Sequence, residues 1–235
     1  MSNYVNNLLF PEQDVREMEP KAREISRHYL KKATIENLHL FNPNAVGLYD
    51  MPIIKPYYGK LPRFLVPFNQ ASKAVNHQAF VHFYIDDYLF ERLWNNLERY
   101  LPMLRSFEGV IGPDFSQLAN MPAPLRQWNC FRNRLMGQVI QNDGINYIHN
   151  VTWSLPDSYG YSFSGLTKGS IIAINSNGIF GNDCSKYLWY KGYEEVLKRL
   201  EPSAIVRYGP KMPGENEAIS VYFQNERLNL LKNGR

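Results

Sequence analysis

The sequence predicts an α/β fold: mostly parallel strands with crossover helices, arranged as an open doubly wound sheet or a partial (β/α) barrel. Three observations predict it. Short apolar, β-branched segments alternate with amphipathic helical ones along the chain. Successive strands start far enough apart for one helix between each pair, which suits right-handed parallel crossovers. Finally, 235 residues with 44% apolar, 14% aromatic and only 20% charged side chains supply one well-filled core.

The elements follow in order. Pro20 opens a helix that carries Ala22, Ile25, Tyr29, Leu30 and Ala33 at helical spacing. Residues 42–69 hold Pro43, Pro52, Pro56, Pro62 and Pro67, which break the chain into extended pieces. Ile53, Ile54, Tyr57, Phe64 and Phe68 make this stretch too apolar for a linker, so it reads as a strap packed on the domain. Ala79–Ile85 is a strand, and Asp87–Tyr100 an amphipathic helix with Leu89, Leu93, Trp94 and Leu97 on one face. Gly109–Gly112 is a short strand, Pro124–Asn142 a helix and Asn146–Trp153 a strand. Ser154–Gly169 is Gly- and Ser-rich, with room for one very short helix. Ser170–Asn175 is a strand, a helix starts near Ser185, and Ala204–Tyr208 and Ala218–Phe223 complete the strands. The whole of 1–235 reads as a single domain, with 1–40 a helical extension and 215–235 a polar tail packed on it or trailing from it.

Several classes are excluded. The aromatic content and a net charge of +4 exclude intrinsic disorder. No run of about 18 apolar residues predicts a membrane span, and the N-terminus lacks a signal-peptide pattern. Two cysteines cannot build a disulfide framework, so a cytoplasmic location is expected. The five histidines show no metal-ligand spacing, so no metal site is predicted, and no cofactor motif is present.

In either architecture ligands collect at the carboxyl ends of the strands. Asp86 and Asp87 there are paired carboxylates for acid–base work or, in the plainer reading, one caps the following helix. Asp114 follows Pro113 well before the next helix starts, so capping explains it poorly and it is the leading acidic candidate. Asp157 and Glu215 are further carboxylates. Asn150, Trp153, Asn175 and Tyr208 are candidate ligand-binding residues at successive strand ends. Arg132 shares a helical arc with Trp128, Phe131, Leu135 and Val139, so it is expected to face inward, paired with Asp114 or facing the site. His82 and His149 read as hydrogen-bonded core histidines.

Pro113-Asp114-Phe115-Ser116, Met121-Pro122, Gln127-Trp128-Asn129 and Phe131-Arg132-Asn133-Arg134 form a distinctive set. Gly144, Asn150-Val151-Thr152-Trp153, Gly165, Leu200, Pro202 and Val206-Arg207-Tyr208-Gly209 extend it. Over roughly residues 40–210 the chain resembles a family of bacterial, phage and plasmid proteins catalogued as a domain of unknown function. The resemblance implies a mobile-element setting and a cytoplasmic location. It carries over no catalytic residues.

Three functions compete. The first is binding or processing of nucleic acid, which the pI of about 8.9, Arg126, Arg134, Lys198, Arg199, Lys211 and the aromatics favour. The expected partner is then nucleic acid or a nucleotide. The second is a small-molecule hydrolase acting on a nucleotide, phosphoester or glycoside. Asp114 would act with Asp86, Asp157 or Glu215, and Arg132 or Trp153 would hold the substrate. The third is a non-catalytic protein that sequesters a ligand.

Overall fold

The computed structural model describes residues 35–179 and 181–224. The helix expected from Pro20 lies outside them. The chain divides into two compact units, Met1–Phe41 and Asn42–Arg235. The described part of the first holds a single 3₁₀ turn, Leu38–Leu40.

The described residues of the second unit form seven strands: β1 (Leu65–Pro67), β2 (Phe80–His82), β3 (Gly109–Ile111), β4 (Tyr147–Asn150), β5 (Ile171–Asn175), β6 (Ala204–Tyr208) and β7 (Ser220–Phe223). Six α-helices lie between them among the described residues: α1 (Phe68–Ala71), α2 (Asp87–Asn95), α3 (Leu97–Arg105), α4 (Ala123–Asn142), α5 (Tyr159–Phe163) and α6 (Asp183–Leu200). The strands pair in simple chain order, β1 to β7, and every pair is parallel. Right-handed crossovers in unreversed order place all the helices on one face. A doubly wound sheet would need the order to reverse partway. The sheet instead curls into a half-barrel, which decides between the two predicted architectures.

Alternation along each strand splits the core into two layers. Phe80, Ile111, Ile148, Ile171, Ala173 and Val206 fill the concave face. Ile172, Ile174 and Ile205 point the other way, against Trp189, Tyr193, Val196 and Leu200 of α6. Full burial of a Val, Leu, Ile or Phe side chain among these is worth roughly 1.5–3 kcal/mol. The cap of α6 is local: the Asn182 side chain accepts from the Cys184 N–H at 2.7 Å. At the far end Glu201 takes a left-handed conformation and Pro202 stops the helix.

Departures from expectation have local causes. The helix expected over 87–100 is two helices, because Asn96 is non-helical (φ −156°, ψ 68°) and its side chain caps α3 through the Arg99 N–H. The strap is tied down: Tyr57 O accepts from the Ile171 N–H at 2.9 Å, and Gln138 Nε2 donates to Ala45 O and Ile53 O. Its last residues form β1, a strand the prolines concealed. Pro67 is tolerated there because β1 is an edge strand. Ser220–Phe223 forms β7, the last strand in the order, within the strand expected over 218–223.

Helix α4 also turns differently from its expected arc. Its buried face runs through Arg126, Asn129, Asn133, Arg134, Leu135 and Gly137, while Trp128, Phe131 and Val139 are half-buried. Gly137 is required by contact, because a Cβ there would lie 2.3 Å from the Tyr147 hydroxyl oxygen.

Candidate functional site

The carboxyl ends of the strands surround a cavity of about 1140 Å³ on the concave side. Its floor is aromatic. Tyr84, just beyond β2, stacks on Tyr208 of β6 with centroids 4.5 Å apart, and the His82 ring lies 4.7 Å from Tyr208. His82 Nδ1 accepts from the Tyr84 N–H, which leaves the proton of the neutral ring on Nε2. Burial holds this imidazole neutral by pushing its pKa down to about 3.

Asp114 follows β3 and sits where four elements converge. Asn150 Nδ2 donates to one of its oxygens at 2.8 Å, and Asn175 Nδ2 donates to the other at 3.1 Å. The Tyr84 hydroxyl donates to Asn150 Oδ1 at 3.0 Å, and Asn175 Oδ1 accepts from the Asn177 N–H. Each amide is thereby oriented with its NH₂ toward the carboxyl. Burial pushes the Asp114 pKa up to about 7, the two amide donors restrain the rise and the nearby Asp87 adds to it. A carboxyl poised near neutrality can both give and take a proton.

A second cavity, of about 300 Å³, adjoins the first. Both are lined by Asp114, Ser116, Asn175, Asn177 and Gly178, so Asp114 stands at their junction. Trp153 borders the smaller one, with its indole N–H donated to Leu188 O at 3.3 Å.

Of the predicted residues, Asp114, Asn150, Asn175 and Tyr208 come together here, and Trp153 lies alongside in the smaller cavity. Asp86 is exposed on the wall of the larger one. The expected helix cap is absent: Asp86 precedes α2 without a side-chain cap bond, and Asp87 instead accepts from the N–H and hydroxyl of Ser116. Arg132 does not meet Asp114. It pairs with Glu91 at 2.9 Å, bonds Asn129 Oδ1 and lies over the Phe115 ring, lining neither cavity. Asp157 also lines neither; it pairs with Arg126 at 2.6 Å. Glu215 is consumed by Arg207 in a fully buried pair behind the sheet.

The sequence expectations omit Tyr84, while His82, expected as a hydrogen-bonded core histidine, is buried and hydrogen-bonded and also lines the cavity. The signal for both was their even spacing from Phe80, which puts all three on one face. Among the described residues, no cluster of three His, Cys, Asp or Glu side chains could hold a metal ion, and no helix is long and apolar enough to cross a membrane.

The chain is similar to the "Gene 1 protein" of Mycobacterium phage D29, 32% identical over 181 residues, which is 76% of this chain and 66% of the phage protein. It therefore spans just under two thirds of that relative. It is likewise 32% identical to the "Gene 1 protein" of Mycobacterium phage L5 over 164 residues, 68% of this chain and 71% of the phage protein. No solved structure matches significantly. A family match covers residues 43–225, past the last of the motifs and through the whole half-barrel, and the chain belongs to the family described as "Domain of unknown function (DUF4417)".

Proposed function

We propose that the protein is an enzyme acting on a small uncharged ring-bearing molecule, a glycoside in the broad sense, with Asp114 as its general acid–base group. The observation that carries this reading is the Asp114 carboxyl, held between two oriented amides with its pKa raised to about 7 at the junction of two cavities. Tyr84 and Tyr208, stacked on each other and largely buried, line the cavity and offer apolar contact to a sugar-like ring, and His82 Nε2–H supplies a neutral donor. With Asp157 and Glu215 engaged elsewhere, Asp86 is the candidate second carboxylate.

Charge argues for an uncharged substrate. Among the described residues that line the larger cavity, Arg63 is the single cation against Asp86, Asp87 and Asp114. A phosphate would be repelled there. The nucleic-acid reading loses support for a related reason. Arg126 and Arg134 are buried, Arg199 pairs with Glu195, and Lys211 pairs with Glu217. A cytoplasmic location fits two unpaired cysteines, and the phage relatives fit a mobile-element setting.

The test is a panel of neutral nucleosides and glycosides, phosphorylated analogues and oligonucleotides at ~50 mM salt, where phosphate contacts are strongest. Neutral compounds should bind and be consumed, with activity changing through about pH 7 and falling about 100-fold or more in Asp114→Asn. Oligonucleotide binding without binding of neutral rings would favour the nucleic-acid reading. Tight binding without turnover would favour sequestration.

A further inference from the structure

The smaller cavity differs in chemistry from the barrel mouth. Trp153, Val151, Leu118, Ile179 and Leu188 contribute apolar surface to it. Among its described lining residues Asp114 is the single ionisable side chain. The Trp153 ring is fixed rather than loose. Its N–H is committed to Leu188 O, and the indole fills space opened by Gly192, where a Cβ would lie 1.9 Å from Nε1. A flat indole held in place and flanked by apolar side chains suits a planar ring.

We infer that this cavity is a subsite for a planar aromatic group, and that the substrate is a neutral glycoside whose aromatic half lies against Trp153 while its sugar-like half lies over Tyr84 and Tyr208. The bond joining the halves then passes Asp114, the one ionisable residue among those that line both cavities. A volume of about 300 Å³ suffices for one or two fused rings and little more. Pairing the halves rests on the reading of Asp114 as the reacting group; the aromatic subsite does not.

Calorimetric titration and tryptophan fluorescence of the full chain test it. The probes are adenine and phenol as free aromatics, methyl ribofuranoside as free sugar, and adenosine and phenyl glucoside as joined compounds. Two variants serve. Trp153→Ala removes the platform, and Ala119→Phe blocks the cavity from its exposed rim without touching the core. A free aromatic should bind about tenfold more weakly in each, since one stacking contact is lost or excluded. The free sugar should bind equally well in both, and together with the aromatic. A joined compound should bind more tightly than either part; whether it is adenosine or phenyl glucoside separates a heterocyclic from a phenolic aglycone. Aromatic binding unchanged in Ala119→Phe, competition between aromatic and sugar for one place, or no aromatic binding overturns the inference. Aromatic binding as described with no turnover of any glycoside keeps the subsite and removes the acid–base reading of Asp114.

Discussion

Asn150 Nδ2 lies 2.8 Å from an Asp114 oxygen, while Asn150 Oδ1 accepts the Tyr84 hydroxyl hydrogen. The tyrosine thus dictates which end of the amide the carboxyl meets. Removing the Asn150 donor favours the neutral acid, so Asn150→Ala should raise the Asp114 pKa beyond its value of about 7. Tyr84→Phe should raise it by less, because the amide is then merely free to turn. Carboxyl carbon NMR titration measures both; an unchanged midpoint in Asn150→Ala would falsify this account of the network.

Stability should depend on pH with opposing contributions. From about pH 4 to 7 the folded chain keeps an Asp114 proton that the unfolded chain has released, so this group lowers stability as pH rises, by up to about 4 kcal/mol. His82, lowered to about 3 by burial, and His149, lowered by burial and Arg134, act the other way. Neutral when folded and protonated when unfolded below about 6.5, they make stability rise with pH to that point. Urea midpoints should therefore climb from pH 4 to about 6.5, and Asp114→Asn should steepen the climb. Equal slopes in the two proteins would contradict the assignment.

Behind the sheet, Arg207 is fully buried, with two bonds to Glu215, a third to Ile174 O and its guanidinium over Trp189. Removing either charge strands the other in a dry interior. Glu215→Ala should cost about 3–5 kcal/mol in urea unfolding, and replacing both residues by apolar ones should cost less than either single change. A single change under about 1 kcal/mol would mean that water reaches the pair.

Gly192→Ala should displace the Trp153 indole. The expected loss is about 1–3 kcal/mol of stability, as for an overpacked core, with a shift in tryptophan emission. Unaltered emission and stability would show that the indole moves aside at no cost.

Much of this architecture was legible because each unit carries its own pattern. Ala204–Tyr208 matches the observed strand end for end, and the strand-end rule picked out Asp114, Asn150, Asn175 and Tyr208. Elements defined by contact were harder to read. β1 is three residues long and exists because β2 pairs with it, not because its propensities favour it. Arg132 faces inward as expected, its side chain 12% exposed, but its partner, Glu91, lies 41 positions away on another helix, and no periodicity names such a partner. The face of α4 departs from the apolar arc because much of its inward side is polar: Arg126, Asn129, Asn133 and Arg134 are buried against carbonyls and, for Arg126, the Asp157 carboxylate, partners that only the tertiary fold supplies.

The unreversed strand order also bears on how the molecule assembles. Each strand pairs only with the one made just before and the one made just after it, so every pairing closes a modest loop, and the sheet can grow one unit at a time as the chain leaves the ribosome. Tyr84, Asp114, Asn150 and Asn175 come from four consecutive units. Nascent chains stopped before β5 should already protect β2–β4 from proteolysis, yet leave the Asp114 carboxyl without its second amide.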